Sequence, residues 1–163
     1  MKMLILLATT VLATLAQATP LVGDYSNFKA TVSTEGQTMA GTLEVALVAK
    51  TATGFKMTAT TKFDNQPSEH QEKDVNADDL INDEMISYLL ANCATQNGQL
   101  QSVTVPAGTF KTIYLKMKDN ANKGAISEVW VNPRDIPLSG MAKTISESPL
   151  GKVTIELNSF ERK

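Results

Sequence analysis

Residues 55–63 alternate without a break: Phe55, Met57, Ala59, Thr61 and Phe63 point one way, and Lys56, Thr58, Thr60 and Lys62 the other. A period of two puts successive side chains on opposite faces of a strand. An ionic second face means that one side of the sheet is wet, which is the habit of antiparallel sheets. Residues 42–48 repeat the pattern, with Leu43, Val45 and Leu47 opposite Thr42, Glu44 and Ala46. Glu35-Gly36-Gln37, Thr51-Ala52-Thr53-Gly54 and Asp64-Asn65-Gln66-Pro67 supply the turns between such runs.

Further strands are predicted over 25–34, 100–105, 110–118, 126–131, 141–147 and 153–160, with a polar edge strand over 69–75. Ile113, Leu115 and Met117 oppose Tyr114, Lys116 and Lys118, and Val153, Ile155 and Leu157 share a face. Val105-Pro106-Ala107-Gly108 suits a type I turn, with proline second and glycine fourth. Residues 132–140 hold Pro133 and Pro137 and read as a loop, because proline cannot donate to a central ladder. That loop could also gate the rim of the sheet or meet a partner through Arg134.

One segment departs from period two. Leu80, Ile81, Met85, Tyr88 and Leu89 recur at helical spacing, with Asn76 or Asp78 as the cap and Gly98 as the stop. The spacing predicts a helix of about four turns over residues 78–92. Its apolar stripe has to be covered, and the sheet is the available partner. The expected fold is α+β: a single domain over residues 19–163, built as a curved antiparallel β-sheet. That half-barrel has about eight strands and packs on a single long α-helix.

Two motifs carry a resemblance. One is Val103-Thr104-Val105-Pro106-Ala107-Gly108-Thr109-Phe110, preceded by a helix with a cysteine; the other is Glu128-Val129-Trp130-Val131, followed by prolines and Gly140-Met141-Ala142-Lys143. Over about residues 92–160 the chain resembles exported bacterial half-barrel domains of unknown function, similar in shape to LolA-type lipoprotein carriers. The resemblance implies a curved sheet around a helix, with an apolar space that holds an acyl chain in some relatives. It also implies a second cysteine after the phenylalanine of the first motif. Lys111-Thr112 stand there instead, so that bridge is missing. No binding residue carries over, because the shared motifs are structural punctuation.

The first eighteen residues bear on location. Lys2 precedes an apolar run of about 14 residues, and Ala16-Gln17-Ala18 supplies the small-x-small pattern of a cleavable secretory signal. The run is shorter than the roughly 20 residues needed to span a bilayer. The expectation is therefore export to the periplasm or the exterior, with residues 1–18 removed and no transmembrane segment in the remainder. Lys2 is the only charged side chain in that leader, so its loss takes the formal net charge from −2 to −3. An acidic chain without a basic cluster argues against nucleic acid as a partner. Cys93 is the only cysteine, which excludes an intramolecular disulfide.

Catalytic and metal chemistry find little footing. His70 is the only histidine, so no site can use two imidazoles, and its polar neighbours suit a solvated edge. Asp74, Asn76 and Asp78 have the spacing that opens a calcium loop. The sixth and twelfth places of that loop hold Asp79 and Met85 instead of glycine and glutamate. Asp78, Asp79 and Asp83 fit better as answers to a helix dipole. No nucleophile elbow, phosphate loop or dinucleotide fingerprint occurs. No cofactor, metal or catalytic residue is assigned.

The apolar group of most interest is Phe55, Met57, Phe63, Met85, Leu89, Phe110, Met117 and Trp130. These residues either fill the space between sheet and helix or line a pocket that adapts to a lipid tail. The leading functional expectation is a non-enzymatic cell-envelope protein that binds a lipid or other amphipathic ligand there. The second is an interaction module with a filled core that docks another envelope protein. The third is a hydrolase built on carboxylates brought together by the fold.

Overall fold

The computed structural model describes residues 19–80, 82–95, 98–119, 125–149 and 151–163. The expected signal, residues 1–18, lies outside them. Nine strands form one antiparallel sheet: β1 (Tyr25–Thr34), β2 (Gln37–Lys50), β3 (Gly54–Phe63), β4 (Glu69–Asn76), β5 (Gln99–Val105), β6 (Gly108–Asp119), β7 (Ala125–Val131), β8 (Met141–Ser148) and β9 (Gly151–Glu161). Their order across the sheet is β4-β3-β2-β1-β9-β8-β7-β6-β5, two meanders joined by the β1–β9 pair. The β2–β3 register sets Leu43, Val45 and Leu47 opposite Thr61, Ala59 and Met57, so the two alternating runs share their apolar face.

The expected α+β fold, a sheet packed on one long helix, is not what forms. Strand dominates the described residues, and the single α-helix among them, α1 (Asp83–Asn92), has 10 residues. The predicted helix over 78–92 begins instead as a 3-10 turn at Ala77–Asp79 and breaks at Leu80, whose backbone is extended. The reason is tertiary. Leu80 is buried against Leu47, Phe55 and Leu138, a placement that continuing the helix would forfeit. The helix restarts at Asn82, whose side chain accepts the Met85 N–H at 2.9 Å, so neither Asn76 nor Asp78 caps α1. Ile81 lies outside the described residues. Among the described residues of α1 only Ile86 is buried. The polar run at 69–75 does pair along β3, which makes the strands nine rather than about eight.

The sheet is filled by the proline loop at 132–140 rather than by the helix. Ile136, fully buried, packs with Phe28, Val105, Ala142 and Leu157. Leu138 joins the second core cluster with Leu47, Phe55 and Leu80. A buried loop must satisfy its own backbone polar groups, and this one does. Asn132 N–H donates to Gly140 O at 2.7 Å, Ile136 N–H to Asn132 O at 3.1 Å, and Gly140 N–H to Pro137 O at 3.2 Å. Arg162, beyond β9, donates through Nη2 to Ile136 O at 2.9 Å and Pro133 O at 3.3 Å. Gly140 has φ +65°, and a Cβ there would lie 2.8 Å from Pro133 Cα, so only glycine closes the loop without strain.

The β5 end of the sheet curls inward, bringing β5 near β8 and β9. A bulge helps to hold it there. Between the Asn27–Ser159 and Phe28–Leu157 pairs, Asn158 is the extra residue. Leu157 O accepts the Ala107 N–H of the β5–β6 turn at 3.1 Å.

Candidate functional site

The curl leaves a cleft of about 460 Å³ between α1, the β5–β6 hairpin and the start of the loop after β7. That volume is within the range of small-molecule sites. Its apolar wall is Ile86 and Leu90 of α1, Leu100 of β5, Ile113 of β6, Val131 of β7 and Pro133. The register explains the wall: Leu100 pairs with Ile113 and Ile113 with Val131, so the three stand in one row. Leu100 is 74% exposed, so this wall opens on solvent. The polar lining comes from Gln101, Ser102, Lys111, Thr112, Asn132, Arg134 and Asp135. Thr112 Oγ1 donates to Gln101 O at 2.8 Å. Asn132 locks the turn beneath Arg134: its Oδ1 accepts the Asp135 N–H at 2.9 Å, and its Nδ2 donates to Asp135 Oδ2 at 2.6 Å.

None of the eight residues singled out by sequence lines this cleft. Phe55 is buried in the second core cluster with Met57 packed beside it, while Phe110 and Trp130 pack on the first. Phe63, Met85 and Leu89 are half-buried, and Met117 is exposed. The group is therefore divided among the two core clusters, half-buried positions outside them and the surface. The cleft's composition offered a weaker signal, because its lining comes from four separate segments.

The polar candidates are placed plainly. His70 is exposed on β4, with Thr60 Oγ1 at 3.0 Å from Nδ1 and Glu72 at 3.8 Å from Nε2. Asp74 lies on edge strand β4 and Asp78 in the 3-10 turn, while Asn76 Nδ2 donates to Asp79 Oδ2 at 3.2 Å. Among the described residues, no three acids, histidines or cysteines gather in a way that could hold a metal. The buried carboxylate of Asp24 is spent on structure, accepting the N–H groups of Leu21 and Lys163. Cys93 is half-buried at the end of α1. Its carbonyl accepts the Gly98 N–H at 2.7 Å. A Cβ on Gly98 would come within 2.8 Å of the Cys93 sulfur.

No protein-family model and no curated protein matches the chain. Among solved structures it is similar to a protein of Bacteroides fragilis assigned as exported, with a YmcC-like fold. The two share 10% identity over 88% of this chain and 97% of that one, with a TM-score of 0.49. The comparisons do not show the expected likeness to LolA-type carriers. Among the described residues, no helix is long and apolar enough to cross a membrane.

A charged ladder lies across β6 and β7. Glu128 accepts from Tyr114 Oη at 2.9 Å and Lys116 Nζ at 3.0 Å. Both bonds hold its carboxyl below the usual range, that from Lys116 most. Tyr114 is raised, by desolvation first and by Glu128 second, and Lys116 is raised chiefly by the bond to Glu128. A carboxyl whose pKa is lowered by folding stabilises the fold above its unfolded value, and loses that contribution as pH falls through the folded one. Glu128→Gln should therefore cost stability at pH 7, with the deficit shrinking toward pH 3. Urea midpoints of both proteins at the two pH values measure it. The Glu128 side chain is 27% exposed, so the effect is small and weakens with salt.

Proposed function

We propose that the chain, once residues 1–18 are removed, is a non-catalytic protein of the cell envelope. In this reading it holds the apolar part of an amphipathic ligand in the cleft between α1 and the β5–β6 hairpin. The supporting observation is the cleft itself: an apolar row of Leu100, Ile113 and Val131 faces Ile86 and Leu90 without filling the space between. Burial of such a surface releases about 25 cal/mol per Å², which favours an apolar tail over water there. Ile136 and Leu138 pack in the core clusters beside the residues singled out from the sequence, which supports the cleft over that interior as the ligand site.

Native mass spectrometry of protein isolated from its own envelope tests the reading. The expected result is a discrete added mass that organic solvent removes, with occupancy lost in Ser102→Trp, an exposed lining position where an indole would fill the cleft. A bare mass that stays bare after incubation with envelope lipids would sink it.

A second reading is docking to another envelope protein, favoured by exposed Leu100 on the unpaired edge of β5 beside exposed Leu90. Crosslinking from residue 100 separates the two readings, since only docking yields a protein adduct.

A further inference from the structure

The cleft is not only apolar. Lys111 and Arg134 both line it, and among the described residues neither is ion-paired. The one carboxylate in the lining, Asp135, keeps its charge but is turned to Asn132 Nδ2 within its own turn, so the lining carries two positive charges against one negative. The 132–135 turn is held by two side-chain bonds, so Arg134 is carried on a fixed mount. Lys111 stands on β6 opposite Ser102 of β5, next to the apolar row. Two cations without an ion-pair partner thus flank an apolar wall, and the cleft is net positive in a chain whose overall charge is negative.

We infer that the ligand is an anionic, single-chain amphiphile. Its tail lies on Leu100, Ile113, Val131, Ile86 and Leu90, and its carboxylate or phosphate head meets Lys111 and Arg134. This rests on the cleft being the binding site. Charge complementarity selects the head, because Lys111 offers an ammonium and Arg134 a planar fork suited to two oxygens at once. A neutral head would leave both cations without a partner, and a cationic head would be repelled. The positions are solvent-exposed, so the preference is of moderate size and falls with ionic strength.

Isothermal titration calorimetry with palmitate and with monopalmitoylglycerol, below their micelle-forming concentrations, makes the test. The two share a tail and differ in head charge. Palmitate should bind about tenfold more tightly at low salt, with the gap narrowing in high salt. The double variant Lys111→Glu/Arg134→Glu should reverse the gap, because its two added carboxylates repel the palmitate head. Octadecyl phosphate then distinguishes a phosphate head from a carboxylate. Equal or weaker palmitate binding by the unmodified protein overturns the anionic assignment and leaves the cleft reading standing. Binding of neither amphiphile, or full binding of both by Ser102→Trp, overturns the two together. The comparison of heads needs no variant, so it stands whether or not the charge reversals fold.

Discussion

Replacing Ile136 with alanine should destabilise the protein by about 3 kcal/mol, in the range of large-to-small changes at fully buried sites. For a chain of this size that lowers the melting temperature by roughly 10 °C. The argument rests on the cluster that Ile136 belongs to: Phe28 of β1, Val105 of β5, Ala142 of β8 and Leu157 of β9. A single loop side chain therefore joins strands from both meanders. The loop is closed by proline and by its own hydrogen bonds, so it has little freedom to collapse into the vacated volume. Thermal unfolding followed by circular dichroism reads the change. A fall of only one or two degrees would mean that the loop is a cover and not a core element.

The second large effect is expected at Arg162. Arg162→Met keeps an apolar stem and removes both donors, which leaves Pro133 O and Ile136 O unpaired beneath the sheet. Each orphaned buried carbonyl costs about 1–3 kcal/mol. Against this stands a relief: Nε and Nη1 of Arg162 are buried and, among the described residues, without a hydrogen-bond partner, so the guanidinium carries its own burial cost. The carbonyls outweigh it because two are lost at once, and the net destabilisation is about 2 kcal/mol. Urea unfolding measures it. Loosening of the loop should also speed hydrogen exchange at Ile136 and Gly140, whose amides are bonded within it. A variant as stable as the parent, with exchange unchanged, would show that the C-terminal residues do not hold the loop.

The strands were legible in the sequence because period two is a local property. The alternation of Leu43-Val45-Leu47 and of Phe55-Met57-Ala59 already fixes which side chains share a face, and only the pairing partner is missing. The helix expected over 78–92 and the observed α1 over 83–92 part company at Leu80. Leu80 fits a helical stripe and a core cluster equally well in sequence, and burial against Leu47, Phe55 and Leu138 decides between them. The filling loop was harder. Pro133 and Pro137 correctly mark irregular backbone, but nothing periodic says that Ile136-Pro137-Leu138 turns inward rather than out. Two large aliphatic residues flanking Pro137 were the available hint. The cleft was hidden for a different reason. Leu90, Leu100, Ile113 and Val131 belong to different elements, and only the curl of β5 and the position of α1 bring them together.

The centre of the sheet is the pair β1–β9, which joins the first of the described strands to the last. Every other neighbouring pair is also consecutive in sequence, so each meander can zip up locally as it emerges. The seam cannot. Closing it requires bringing together positions more than a hundred residues apart, at the entropic cost that makes such topologies slow to fold. Until residues 151–161 arrive, β1 has a bare edge and Phe28 an uncovered ring, a species prone to pairing with other chains. A chain that leaves its synthesis site amino end first thus keeps its core unsealed until residues 151–161 have emerged. The same late seam that holds the folded sheet together delays its folding until that strand arrives.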